Sequence, residues 1–342
     1  MIEVIAGLTA TWVANLALHS TAVLASVLGL AALARRRSAA CELWTLRAGL
    51  VAVWCMPLTA LAVQHYGWGW WVIVLHEPAA WGGAWGTTGW THAAALAVYL
   101  ALGGAWLAGS AVAGGCLLRD GLALGGLREG AWAASAGLSA RVEMLAREVG
   151  VVPPRVGVSD RVQSPCVFGW VRPTLLLPGT RDGAEAVSDA VIAHELCHVR
   201  QRDALWRVAG RLAVVALCFQ PLLWVLCRRM DAACESVCDD AAVLATRDRC
   251  GYAKELVRWS GAVGELPGRR LTMGAAAMRS QLGRRVRRIV DADRRLSTRL
   301  GWAEAGLIAA VVLVLALAAN VVSLAHTQAA GLAGVAWVWC LG

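Results

Sequence analysis

The chain has 342 residues, of which 58% are hydrophobic and only 16% charged, with a mean hydropathy of +0.57. Soluble domains carry about 25% charged residues, so this composition excludes an ordinary soluble enzyme and points to a mainly α-helical membrane protein. The net charge of +9 follows from topology, as shown next, and calls for no direct nucleic-acid partner.

Apolar stretches run over residues 8–34, 45–63, 93–118 and 305–324, with Arg47 at the edge of the second. Each is near the roughly 20 residues a spanning helix needs, which predicts four transmembrane helices. The first reads as a retained anchor: it is too long for a signal peptide, lacks a basic region before it and is followed by Arg35, Arg36 and Arg37. All 32 Lys and Arg residues fall in two segments, Arg35 to Arg47 and Arg119 to Arg299. The positive-inside rule makes both segments cytoplasmic. The expected organisation is a membrane domain over 1–118 with an external loop at 64–92, a cytoplasmic domain over 119–301, a fourth helix at 302–324 and a short external tail at 325–342. The lipid bilayer of the cell membrane is the first partner this implies.

The external loop holds Trp68, Trp70, Trp71, Trp81, Trp85 and Trp90, with Glu77 as its only charge. It reads as an aromatic belt at the headgroups or as a sensor surface for an envelope ligand. In the third span Gly103, Gly104, Gly109, Gly114 and Gly115 allow close helix packing within one chain or between two copies, so a homodimer is among the expected partners.

Beyond Arg119 the apolar period changes. Residues 155–159, 164–168 and 174–177 read as short strands, the last two joined by a turn around Gly169-Trp170 and closed by Pro178-Gly179. Residues 185–192 then carry apolar positions at helical spacing and lead into His194-Glu195-Leu196-Cys197-His198. One helical turn puts both imidazoles on one face, where they can reach one metal ion, and Glu195 beside them is the expected catalytic base. A zinc metalloendopeptidase of the HExxH type follows, with one catalytic Zn2+.

Topology sorts the histidines. His19 lies in the first span and His65, His76, His92 and His326 fall at or beyond the outer surface, so His194 and His198 are the only cytoplasmic pair. The third ligand is then a carboxylate or a thiolate. Glu235, 36 residues after His198, is the best candidate, and Asp239 one turn later could orient a ligand histidine. Cys234 and Cys238 form a rival donor set. Between the two halves of the site, residues 212–227 are uncharged and interrupted by Gln220-Pro221. This run cannot cross a membrane once without separating the ligands, so it either enters and returns near Pro221 or packs as a core helix pair. The basic stretch from Arg279 through Arg295 reads as an exposed segment open to self-cleavage, or as an amphipathic helix on anionic lipid with Val286, Ile289 and Val290 inward.

The segment Ser164-Pro-Cys-Val-Phe-Gly-Trp-Val-Arg-Pro-Thr-Leu-Leu-Leu-Pro178, HELCH followed by Val199-Arg-Gln-Arg-Asp203, Phe219-Gln-Pro-Leu-Leu-Trp224, and Glu235 with Asp239 together resemble the BlaR/MecR-type membrane zinc metallopeptidases. The resemblance implies a cytoplasmic α+β, zincin-like (gluzincin) domain in which His194, His198 and Glu235 bind zinc and Glu195 is the base. It also implies a place in signal transduction, as an antirepressor peptidase that cleaves a winged-helix repressor of the BlaI/MecI type. The β-lactam receptors of that family end in an external penicillin-binding domain, whereas about 18 residues follow the last span here. The sole lysine, Lys254, has Gly251 three residues before it, so there is no Ser-x-x-Lys acylation motif and covalent β-lactam binding is not expected. A membrane quality-control protease and a non-catalytic zinc-binding transducer or scaffold are the alternatives. A transporter is disfavoured because, apart from Arg47 at the edge of the second, His19 is the only histidine or charged residue within the expected spans.

Overall fold

The computed structural model describes residues 2–67, 71–75, 90–180, 183–184, 186–264 and 273–326. In chain order the elements are α1 (Ile2–Ala34), α2 (Ala39–His65), β1 (Trp71–Leu75), α3 (Trp90–Glu129), β2 (Trp132–Ala133), α4 (Ala136–Val149), β3 (Arg155–Ser159), β4 (Cys166–Phe168) and β5 (Thr174–Thr180). They continue as β6 (Gly183–Ala184), α5 (Asp189–Gln201), α6 (Asp203–Ala216), α7 (Pro221–Thr246), α8 (Arg249–Gly264), α9 (Met273–Val290), α10 (Trp302–Ala319) and β7 (Val322–His326).

Among the described residues, four helices are long and apolar enough to cross a membrane: Val13–Ala34, Ala39–Val63, Leu100–Glu129 and Trp302–Ala319. Their bounds differ from the sequence expectation in ways the side chains explain. The second helix starts at Ala39 instead of 45, because Ser38 Oγ accepts from Cys41 N at 3.1 Å and Glu42 pairs with Arg229 at 2.6 Å, so a capped turn precedes the apolar run. The third continues past Arg119 to Glu129, where Asp120 pairs with Arg211 of α6. The fourth stops at Ala319, not 324: Asn320 Nδ2 donates to Ala316 O at 2.7 Å and to Thr59 Oγ1 at 3.2 Å, and the chain then extends as β7. β7 pairs with β1 in parallel, Trp71 opposite Val322 through Leu75 opposite His326. The strands leaving α2 and α10 therefore lie side by side at one end of the helices. Trp68, Trp70, Trp81 and Trp85 of the tryptophan-rich loop, and residues 327–342 of the tail, lie outside the described residues.

The uncharged run at 212–227 is a helical hairpin. α6 ends at Ala216, the chain turns through 217–220, and Pro221 opens α7 at the first helical position, where its missing N–H costs no hydrogen bond. The turn packs among the apolar helices. Gln220 Nε2 donates to Ser20 Oγ of α1 at 2.7 Å, and Trp106 Nε1 of α3 donates to Ala216 O at 3.0 Å. Ser20 lies 14 residues before the end of α1, about 21 Å along the helix at 1.5 Å per residue. The hairpin thus enters the bundle and returns.

A sheet in the order β2-β3-β5-β4, with β6 on β5, backs the remaining helices; β3 and β5 are parallel and the other pairs antiparallel. β5 does not close at Pro178-Gly179 as its sequence implies. It runs on to Thr180, since Pro178 pairs opposite Ser159 and Gly179 opposite Ala184. At the β4–β5 turn Gly169 has φ 90°, and a Cβ there would sit 2.8 Å from Arg172 O, so glycine is required.

Two apolar cores result. One joins Leu24, Leu46 and Leu50 to Leu217, Leu223, Leu226 and Cys197; the other joins Leu175, Leu177, Ile192 and Leu196 to Ala242, Tyr252, Trp259 and Ile289. Each fully buried leucine contributes about 1.5–3 kcal/mol. α5 and α7 supply residues to both cores, so the HExxH helix sits where the bundle meets the sheet. In the basic stretch 279–295, Arg284, Arg287, Val290 and Arg295 are exposed, while one face packs on the protein. Ile289 is fully buried in the second core with Val286 against it, and Arg285, Arg288 and Arg294 pair with Asp239 and Asp240 at 2.6–3.1 Å.

Candidate metal centre

α5 begins after Ser188 with Asp189 in its first turn, favourable against the helix dipole, and Asp189 is held by Arg141 at 2.6 Å. The helix has no interior Gly or Pro, so His194 and His198 stack one turn apart with their Nε2 atoms 3.3 Å from each other. α7 crosses α5 and brings Glu235 to them: Oε2 is 3.5 Å from His194 Nε2 and Oε1 is 3.7 Å from His198 Nε2. Donors at 2.0–2.1 Å from a tetrahedral zinc lie about 3.3 Å apart, close to the spacing here.

The hydrogen bonds behind the rings fit the same ion. His198 Nδ1 is 2.6 Å from Asp203 Oδ2. His194 Nδ1 is 2.9 Å from Tyr252 Oη, whose hydroxyl donates to Asp239 Oδ1 at 2.7 Å. In the tautomer with a proton on each Nδ1, each Nε2 presents a lone pair toward the other and toward Glu235. His194, His198 and Glu235 are a group that could hold a metal ion. Glu195 is buried beside them, and that burial first, then the Glu235 charge, raises its pKa above the usual carboxylate value against the pull of the two histidines.

The ligand basicity is tuned. Burial disfavours charge on His198, but the hydrogen bonds to Asp203 and Cys234 outweigh it and raise its pKa well above the ordinary histidine value. Burial also acts against charge on Glu235, and the His194 hydrogen bond with the His198 and Arg285 charges holds it well below the usual carboxylate range. Arg285 of α9 grips Asp239 at 3.0 and 2.7 Å and reaches Glu235 Oε2 at 3.0 Å. Asp239 thus bears on His194 mainly through Tyr252, with its own oxygen 3.4 Å from the ring nitrogen.

Cys234 and Cys238 lie on the other side of His198. Their sulfurs are 3.7 and 3.5 Å from its Nδ1, and the Cys234 thiol donates to Asp203 Oδ2 at 2.6 Å. His198, Asp203, Cys234 and Cys238 make a second group of converging donors, separate from the Nε2 face that His194 and Glu235 share. Asp203, Tyr252, Arg285 and Arg47, which holds Asp203 at 2.6 Å, carry no role in the sequence reading. Asp203 had a signal, an acidic residue five positions after the second histidine. Its approach depends on Arg202, whose left-handed backbone (φ 54°, ψ 40°) ends α5 and starts α6, a conformation that costs about 1–2 kcal/mol for a residue with a side chain.

β4 forms one end of the sheet and packs against α5. Its Cys166 thiol is pushed up to about 12, by burial first and then by the Glu195 carboxylate. Cys166 of the strand edge and Glu195 are therefore neighbours.

A family model described as BlaR1 peptidase M56 matches residues 91–289, more than half of the chain. The chain belongs to the BlaR1 peptidase M56 family. Among curated proteins, the methicillin resistance mecR1 protein of Staphylococcus aureus is 27% identical over 111 residues, covering 31% of this chain and 19% of that protein. The regulatory protein BlaR1 of Bacillus licheniformis is 34% identical over 94 residues, covering 27% of this chain and 15% of its own length. The chain therefore matches under a fifth of either relative. M56 membership thus goes with helices that are long and apolar enough to cross a membrane.

Proposed function

We propose that the chain is an integral-membrane zinc endopeptidase with a cytoplasmic active site, ligated by His194, His198 and Glu235, that cleaves a transcriptional repressor. The observation that carries this reading is the convergence of His194 Nε2, His198 Nε2 and a Glu235 oxygen within 4.8 Å of one another, next to the buried carboxylate of Glu195. Four apolar helices, Arg35 to Arg37 at the end of the first, and the β1–β7 pairing support four spans with the sheet and α4–α9 on the cytoplasmic side.

His194, His198 and Glu235 would hold the zinc ion, which would supply Lewis-acid polarisation of water and of a peptide carbonyl. Glu195 takes a proton from the water as its oxygen bonds to the peptide carbon. It then delivers that proton to the departing amine nitrogen as the C–N bond breaks. Burial beside the two histidines places the Glu195 carboxylate where it can exchange a proton with bound water and then with the leaving amine. Among the described residues β4 has no strand on its outer edge, and an extended substrate segment can add there by main-chain hydrogen bonds beside Glu195. The mecR1 and BlaR1 relatives support a repressor of the winged-helix BlaI/MecI type as the substrate.

The test is zinc content and cleavage of such a repressor by the purified chain and by Glu195→Gln. Both proteins are expected to hold about one zinc, with cleavage lost by a factor of 10² or more in the variant. Zinc in both and cleavage in neither would support the scaffold reading; cleavage of many unrelated membrane proteins would support quality control. Zinc in neither sinks the assignment.

A further inference from the structure

Arg47 lies within the apolar helix α2, nine residues into it, and its side chain is 5% exposed. A guanidinium in that setting needs a partner of opposite charge. It finds Asp203 Oδ1 at 2.6 Å through one terminal nitrogen and Gln201 Oε1 at 3.2 Å through the other, while the Trp206 ring stacks 5.1 Å from its Cζ. The remaining nitrogen, Nε, is buried without a hydrogen bond. Asp203 is in turn divided between two tasks: Oδ1 faces Arg47 and Oδ2 faces His198 Nδ1 at 2.6 Å. A continuous polar path therefore runs from a membrane-type helix to a metal-ligating ring in two hydrogen bonds.

We propose that Arg47 is a positioning residue for the metal centre, through which the placement of α2 sets the orientation of His198. The proposal rests on the zinc-site reading given above. Its physical content is that Asp203 holds His198 only while its second oxygen is anchored. Asp203 stands at the first position of α6, directly after the left-handed Arg202; the Cys234 thiol donates to the same oxygen that meets His198, at 2.6 Å, and Arg47 is the partner of the other oxygen. α2 is a single helix from Ala39 to His65, and Arg47 is 18 residues from its far end, about 27 Å at helical rise. That far end leads to β1, paired with β7. A translation or rotation of α2 imposed there reaches Arg47 along the helix, moves Asp203, and is read at His198 as a change in metal affinity.

A second contact on the same helix separates this role from general docking of α2. Glu42 of α2 holds Arg229 of α7 at 2.6 Å and has no contact with a metal ligand. The experiment uses the full chain in detergent, measuring Zn2+ affinity by competition with a chelator and the visible absorption bands of the Co2+-loaded protein. Asp203→Asn is expected to weaken zinc binding by about 10–100-fold and Arg47→Gln by about tenfold, as for other groups that orient a ligand histidine. The Arg47→Gln/Asp203→Asn double variant should be no weaker than Asp203→Asn, because one acts through the other. Glu42→Gln should leave both affinity and spectrum unchanged. Should Arg47→Gln not fold, Arg47→Lys decides: an ammonium cannot span Gln201 and Asp203 together, so the Co2+ bands should shift and zinc affinity fall several-fold.

Arg47 variants with wild-type affinity and spectrum would overturn the proposal, as would equal losses from Glu42→Gln or additive losses in the double variant. Failure of wild type to bind zinc, or retention of zinc by His198→Ala, would instead refute the underlying site.

Discussion

Tyr252 shows how much of the site is set by groups that never meet the metal. Its hydroxyl links His194 Nδ1 to Asp239, and the ring is 3% exposed. Tyr252→Phe removes that link without opening a cavity. Asp239 Oδ1 is already 3.4 Å from the histidine and can take over part of the bond, so the loss in zinc affinity should be about tenfold, the mild end of the range for such partners. Chelator competition measures it, and an unchanged affinity would mean that Asp239 alone orients His194. His194, Glu195, His198 and Glu235 could be singled out in the sequence because their residue types and helical spacing carry the chemistry directly. Tyr252 and Arg285 could not. They come from α8 and α9, and only the packing of those helices on α5 and α7 brings them in. The pairing of Asp203 with Arg47 spans 156 positions, a distance over which local pattern carries no information.

At the scale of elements, the β4–β5 hairpin is the part of the sheet nearest the chemistry. Gly169 turns it with a positive φ, and an added Cβ would meet Arg172 O. Gly169→Ala is therefore expected to destabilise the hairpin by about 1–2 kcal/mol, lowering the melting temperature. On the proposed use of the β4 edge, KM for a protein substrate should rise while zinc content stays at the wild-type level. A variant with lower zinc content would show that the hairpin supports α5 and does not bind substrate. The strand at 155–159 was legible from alternation and that at 174–177 from a short apolar run closed by Pro178-Gly179, whereas β2 was not, since two residues carry no period. The hairpin of α6 and α7 was legible only as a pair of alternatives. Its entry among the helices depends on Gln220 meeting Ser20, a polar match between segments 200 residues apart.

For the whole molecule, the expected result concerns sidedness. Tyr66, after α2, is 64% exposed, and Cys250, in α8, is exposed as well. On the proposed topology a membrane-impermeant thiol reagent added to intact cells labels Tyr66→Cys, and Cys250 reacts only after lysis. The reverse pattern would put the metal centre outside the cell. Hydropathy and the arginine distribution made the four apolar helices legible because burial in lipid and charge retention act on composition alone. The shared core could not be read that way, for it depends on how helices cross. That shared core sets a limit on dissection. α7 carries Gln220 at its tip inside the bundle and Glu235 at the metal, so the segment that completes the zinc site is the one that the apolar helices hold in place. A fragment beginning after α3 would contain every residue named as a ligand or base and still lack the frame that aligns them. On the proposed reading, peptidase competence in this chain is thus a property of the assembled bundle and is lost when the helices come apart.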